Sequence, residues 1–297
     1  MHLSIVPASP RTAQAAIRHL LAAAGGPTVR GVYRDLAKVP AEFRENPRFE
    51  AVKGDIDAPE GIDLSGTDAV FLVQPPVYQD IDTIEHARVV AEGLKAAVKR
   101  AGSVKRVVVL SSQGAQYDQG VGEILTNHVA EKALRDATEE VVFVRCAYFM
   151  ENWAAALETI PAGFFFTTIT PVEFALPHIA SKDIGEVVAQ ELLKAGEGLE
   201  KSPYIFELEG PAYSSLDVHK AWEEALGEKI EMKVIPKEGL AEFYGNVFPP
   251  GLAQRYAELN QCFMEGGILY ENPNPTGETR KAKTELVEVF KGLLGTA

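Results

Sequence analysis

Cysteine is nearly missing from this chain: only Cys146 and Cys262 occur in 297 residues, both in apolar surroundings. They read as reduced, buried thiols of a reducing compartment. No Cys-x-x-Cys pair or Cys/His cluster is present, so no metal centre is expected. No apolar run reaches the ~20 residues of a membrane span. The N-terminus enters a strand with no basic and apolar leader ahead of it, and a cytoplasmic protein is expected. Excess positive charge is also missing. The net charge is −13, so most of the surface repels nucleic acid.

Glycine is missing from one place where it matters. Residues 5–21, "IVPASPRTAQAAIRHLL", read as a buried strand, a tight turn and a helix. Dinucleotide-binding chains put three glycines in such a turn. The first makes the bend, the second lets the backbone reach a pyrophosphate, and the third packs helix on strand. Here those places hold Pro7, Pro10 and Ala13. Each proline lacks an N–H and adds a ring. Ser9 suits an N-cap and Pro10 the first helical position. The N–H groups of Arg11 and Thr12, with the Arg11 side chain, still favour an anion. The turn predicts a nucleotide held weakly, with no bound cofactor as the alternative.

What is present is regular. Strand patterns at "HLSIV", "TVRGVY", "FEAVKGD", "DAVFLV", "VKRVVVLSS" and "EVVFVRCA" alternate with helical ones at 11–24, 36–45, 84–101 and 121–137. Such alternation predicts an α/β fold, a Rossmann-type doubly wound parallel sheet with ligands beyond the carboxyl ends of its strands. After Trp153 the pattern changes, and proline, glycine and aromatics become dense. We read residues 1–160 as the dinucleotide-binding-like domain and 161–297 as a smaller α+β substrate-side domain. A helix over 182–195, capped by Ser181, packs back on the first.

Charge is uneven. Residues 1–53 carry a net +4 and the remainder −17. This suits either a solvated helix face or a site for a phosphorylated small molecule. Arg34 follows the second strand, where an acid would hold the ribose of NAD and an arginine accommodates the 2′-phosphate of NADP. Arg34 with Lys38 therefore points to NADP(H). Asp55 is placed to face an adenine, or to make a turn, and Pro75 closes the fourth strand.

Ser111 and Ser112 end the fifth strand, and His128 and Lys132 stand one turn apart on the next helix. The short-chain dehydrogenases place a serine and a Tyr-x-x-x-Lys there. His128 takes the tyrosine place, and histidine, with an ordinary pKa of about 6.5, moves protons either way. His128 is the expected acid or base, with Tyr148 its rival and Lys132 and Ser112 beside them. Ser111, Gln113, Tyr148, Asn152 and Trp153 are expected against substrate, although the helical spacing of Phe149 and Trp153 favours core packing for Trp153. Glu123 and Glu131 read as a solvated helix face.

The segments "ASPRTAQAAIRHLL", "VRGVYRD", "VVVLSSQGAQ", "NHVAEKAL", "VRCAYFMENWA" and "SKDIG" together resemble the NmrA-like branch of the atypical short-chain dehydrogenases. Within it the chain is similar to the fungal averufin-oxidase-like enzymes of aromatic polyketide pathways, in "NHVAEK" and "RCAYFMENW" above all. The resemblance covers residues 2 to about 195 closely. It implies a Rossmann fold, an NADP-type cleft and a bulky aromatic substrate of secondary metabolism. Three functions are compatible with it: an NADP-dependent oxidoreductase, a redox-neutral cyclase or isomerase using His128, and a non-catalytic NADP(H) sensor. The expected partner is a small aromatic molecule, with no nucleic acid and no membrane.

Overall fold

Strands whose side chains are apolar on both faces must be covered on both, and this requirement organises the chain. The computed structural model describes residues 1–23 and 25–296. Its strands are β1 (His2–Val6), β2 (Thr28–Tyr33), β3 (Phe49–Lys53), β4 (Ala69–Leu72), β5 (Arg106–Ser112), β6 (Glu140–Cys146), β7 (Tyr148–Phe149), β8 (Phe164–Thr167), β9 (Leu176–Ile179), β10 (Tyr204–Glu209), β11 (Ala212–Tyr213), β12 (Glu231–Val234) and β13 (Thr279–Lys281). The helices are α1 (Arg11–Ala22), α2 (Ala41–Arg44), α3 (Thr83–Ala101), α4 (Leu125–Leu134), α5 (Ser181–Leu193), α6 (Ser215–Leu226), α7 (Leu240–Gly245), α8 (Pro250–Phe263), α9 (Ile268–Glu271) and α10 (Leu286–Leu294).

The main sheet has eight strands in the order β3-β2-β1-β4-β5-β6-β10-β13, every neighbour parallel. Chain direction across the sheet reverses between β1 and β4, which opens a crevice there. Side chains alternate by period two. Leu3, Ile5, Phe71, Val108, Val142 and Phe206 pack under α1 and α5. Val6, Val70, Leu72, Val107, Val109 and Phe143 pack under α3 and α4.

Helix α1 buries Ala13, Ala16, Ile17 and Leu20, an i, i+3, i+4, i+7 stripe. Against it α5 buries Ile184, Gly185, Val188 and Leu192. A Cβ on Gly185 would lie 2.4 Å from Ala15 Cβ and 2.5 Å from the Ala15 carbonyl carbon. Backbone here allows no retreat. Gly185→Ala is therefore expected to cost about 1–3 kcal/mol, read as a lower urea midpoint with an unchanged m-value.

Several element ends differ from the sequence reading. Ala24, the last residue of the first helical span, lies outside the described residues. The span 36–45 is a 3-10 turn at Leu36–Lys38 and then α2, separated by Pro40. The span 121–137 is a 3-10 turn at Gly122–Ile124 followed by the shorter α4. Ser181 is the first residue of α5 and Ala180 its cap, with no side-chain cap bond.

Beyond Trp153 the chain contributes to two layers. β10 and β13 lie in the main sheet beside β6, because Phe206 and Leu208 are fully buried in the same core as Val142 and Val144. The remaining pieces make two small sheets, β11-β9-β7 and β12-β8. Their core is Trp153, Phe165, Trp222 and Phe290, with the last two rings stacked at 3.8 Å. Cys146 and Cys262 are free and buried. Among the described residues no helix is long and apolar enough to cross a membrane, and no group of side chains suits a metal ion.

Candidate functional site

A cleft of about 600 Å³ lies over the carboxyl ends of β1, β4, β5 and β6. One wall is the turn into α1, the opposite wall the loop after β4, and the far end the start of α4 with α8 above it. α8 reaches that end because Gly122 has no side chain. A Cβ there would lie 2.0 Å from the Arg255 carbonyl oxygen and 2.4 Å from the Leu259 nitrogen, and φ is +57°.

The turn into α1 differs in detail from the N-cap reading. Pro10, not Ser9, is the N-cap, with no side-chain cap bond. The Ser9 carbonyl instead accepts from Gln14 Nε2 at 2.8 Å, and Ser9 is exposed. The first helical bond runs from the Gln14 N–H to the Pro10 carbonyl, 2.9 Å. The N–H groups of Arg11, Thr12 and Ala13 thus precede the hydrogen-bonded ladder. Pro10, Arg11 and Thr12 line the cleft. Ala8 offers no donor there, since its N–H is taken by the Val32 carbonyl at 2.8 Å.

The positive charge of residues 1–53 divides into two sets. Arg18 pairs with Glu42 and Arg30 with Glu50. Arg44 and Arg48 donate to backbone carbonyls. Arg11, Lys38 and Lys53 make no ion pair among the described residues, and Arg34 has one long contact, 3.9 Å to Asp57. Arg34 and Lys38 are exposed at the end of β2, outside the cleft lining. Asp55 is a turn residue, its carboxylate accepting the Asp57 N–H at 3.1 Å. Its neighbour Ile56 lines the cleft instead, as does Pro75.

At the other end Ser111, Ser112, Tyr148 and Asn152 line the cleft. His128 and Lys132 are not among the lining residues. His128 Nδ1–H donates to the Ala115 carbonyl at 2.9 Å, and Lys132 is exposed. Ala130, Ala133 and Leu134 pack into the sheet's core. Each residue turns a helix by about 100°, and in α4 Asn127, with Glu123 in the 3-10 turn before it, lines the cleft. Gln113 is buried outside the cleft, donating to Glu209 at 2.6 Å. It lines a second cavity of about 420 Å³. Trp153 is a core residue whose Nε1–H donates to His178 Nε2 at 3.1 Å. Burial lowers the His178 pKa to about 4 and keeps the ring a neutral acceptor.

The carboxylates read as solvated are buried. Glu131 accepts two bonds from Arg145, at 2.9 and 2.7 Å, and one from the Ser111 hydroxyl at 2.6 Å. Glu207 sits opposite Arg145 in the register of β10 and β6, with both oxygens buried and without a hydrogen-bond partner among the described residues. Burial raises its pKa to about 8, against the pull of Arg145. Glu123 lines the cleft, accepts from Thr83 at 2.9 Å and is pushed above the usual carboxylate range by burial. One signal in the sequence pointed to this network. Arg145 stands inside the otherwise apolar strand "EVVFVRCA", and a buried guanidinium requires a carboxylate.

The family model for the NmrA-like family matches residues 2–286. The fold is similar to that of the NADPH-dependent quinone oxidoreductase of Escherichia coli, solved with NADPH. The TM-score is 0.73 at 18% identity, covering 99% of this chain and 100% of that one. It is also similar to the triphenylmethane reductase of a Citrobacter species, solved with NADP(H). There the TM-score is 0.71 at 16% identity, with both chains fully covered. A third likeness is to NmrA, a negative transcriptional regulator solved with NAD, at a TM-score of 0.66 and 16% identity, covering 99% of this chain and 91% of that one. Comparison with curated proteins finds no significant match.

Proposed function

This chain belongs to the NmrA-like family, and from that premise we propose an NADP(H)-dependent oxidoreductase acting on a small planar aromatic substrate. The observation that carries the proposal is the cleft at the β1/β4 reversal, with Arg11 and Thr12, whose N–H groups lie ahead of the α1 ladder, at its wall. A helix N-terminus supplies partial positive charge to a pyrophosphate, and Arg11 adds a full one. Arg34, with only a long contact to Asp57 among the described residues, and Lys38, both exposed just beyond the cleft, suit a 2′-phosphate. The donor set therefore fits a nicotinamide dinucleotide, which would supply or accept a hydride when bound. The substrate side is proposed to be the α4 and α8 end, where Tyr148 and Tyr256 face the cleft and Asn152 lies at its rim. The polyketide-type substrate belongs to this proposal and rests on that aromatic lining. The redox-neutral reading relied on His128 as the acid or base of the cleft, and the Ala115 contact of its ring does not support it.

Turnover tests the proposal. NADPH absorbance should fall when planar quinones or triphenylmethane dyes are added to the purified protein. NADPH that binds without acceptor-dependent oxidation by any such compound would favour the sensing role instead.

Pro10 makes a separate prediction. Its ring lines the cleft and its nitrogen has no hydrogen to give. Pro10→Gly restores a donor and removes the ring, at little cost to the cap. One bond to a charged group is worth about 1.5–3 kcal/mol. NADPH affinity should therefore rise about tenfold, read by quenching of protein fluorescence.

A further inference from the structure

Two acidic side chains line the cleft with no role given above: Glu151, whose Oε1 accepts the Ser181 N–H at 2.9 Å, and Glu123 at the α4 end. Glu123 is 8% exposed, in the 3-10 turn ahead of α4. Its Oε2 accepts the Thr83 hydroxyl at 2.9 Å. Its Oε1 takes no hydrogen bond within the protein among the described residues. Thr83 is itself held by Arg255 Nη1 at 3.3 Å, and Arg255 Nη2 is engaged by Asp82 at 3.3 Å. The guanidinium thus reaches Glu123 only through the threonine hydroxyl. The carboxyl is fixed in place without a direct cation. Tyr256, whose ring stacks on Phe248 at 4.6 Å, stands in the same wall, and Phe248 stacks in turn on Tyr78 at 5.6 Å. A flat π-surface and an anchored carboxyl therefore share one end of the cleft.

We propose that Glu123 is the proton donor of this site, acting on the oxygen of a planar carbonyl compound seated along the Tyr256 face. The inference rests on the oxidoreductase reading above. In the step, a hydride from a reduced nicotinamide dinucleotide bonds to the carbonyl carbon, and the C=O π pair moves to oxygen. The Glu123 O–H breaks as the substrate O–H forms. The nicotinamide leaves oxidised, and the carboxylate regains a proton from water at the cleft mouth. A carboxyl that must donate has to stay protonated near neutral pH. Burial and the nearby Asp82 charge favour that form, while the Thr83 bond and Arg255 oppose it, and the balance lies on the raised side. Donation is therefore retained at low pH and lost as pH rises through the raised pKa.

The test uses p-dimethylaminocinnamaldehyde, a planar carbonyl dye whose absorption moves to the red when its oxygen accepts a strong hydrogen bond. Wild-type protein without cofactor should shift the dye at low pH and lose the shift as pH rises. Glu123→Gln, of the same shape, should give a smaller shift with no pH dependence. Thr83→Val removes a bond to the charged form and should move the midpoint upward. With NADPH and a planar aromatic aldehyde as acceptor, Glu123→Gln should lower turnover by about 10²–10⁴ while NADPH affinity stays unchanged. A dye shift equal in wild type and Glu123→Gln, or no shift in either, overturns the assignment. NADPH titration separates the two failures: if NADPH binds and the dye result is negative, Glu123 alone is wrong. If NADPH does not bind, the oxidoreductase reading has failed.

Discussion

Arg145→Met should lower stability by about 3–5 kcal/mol, the range for stranding a buried charge. Arg145 is 4% exposed and Glu131 7%. Two parallel bonds join them, and the Ser111 hydroxyl takes a further site on Glu131. Methionine fills much of the same volume but leaves Glu131 and Glu207 buried with no cation between them. Thermal unfolding should shift down by roughly 10 °C. The same strands predict a pH effect. The Glu207 pKa is raised by burial to about 8 in the folded protein, so between the ordinary carboxylate range and that value the native state binds the extra proton. Its stabilising contribution is present at low pH and falls away as pH rises toward 8. Glu207→Gln should flatten that decline. An Arg145→Met protein as stable as wild type would mean the charge row is not energetically coupled.

Arg34→Asp should invert the cofactor preference. In wild type the guanidinium is three-quarters exposed, and among the described residues only the long Asp57 contact competes for it. Losing one charge-assisted bond to a 2′-phosphate costs about 1.5–3 kcal/mol, and each 1.4 kcal/mol is about tenfold. NADPH should bind about 10–100-fold more weakly, while the new carboxylate can accept from the free ribose hydroxyl of NADH. Competitive titration of both nucleotides against the variant reads the inversion directly. Unchanged selectivity would remove Arg34 from the role and leave Lys38 or Lys53 as the source of any preference.

The sheet was legible because its signal is local. Apolar runs such as "AVFL" and "EVVFV" are long enough for a strand and too short for a surface helix, and the gaps between them hold helical stripes. The turn at Pro7–Pro10, the serines ending β5 and Tyr148 after β6 follow from strand ends alone, and Pro10, Ser111, Ser112 and Tyr148 line the cleft. The orientation of α4 was not legible. Its spacing offers His128 with Lys132 and Asn127 with Glu131 equally well. The choice is made by Ala130, Ala133 and Leu134 seating on the core, which is a tertiary event. Glu123 was misread for a similar reason. Its burial depends on α8, more than a hundred residues later in the chain, reaching the backbone at Gly122. The joining of β10 and β13 to the main sheet was hidden too, since a strand's neighbour is set by packing and not by its own pattern.

The most direct measurement of the central claim is a fluorescence or calorimetric titration of the purified protein with NADPH and NADH under the same salt and pH. The cleft at the β1/β4 reversal, the N–H groups of Arg11 and Thr12, and the exposed Arg34 and Lys38 predict saturable one-site binding with NADPH the tighter ligand. No saturable binding of either nucleotide, or NADH binding as well as NADPH, would contradict it.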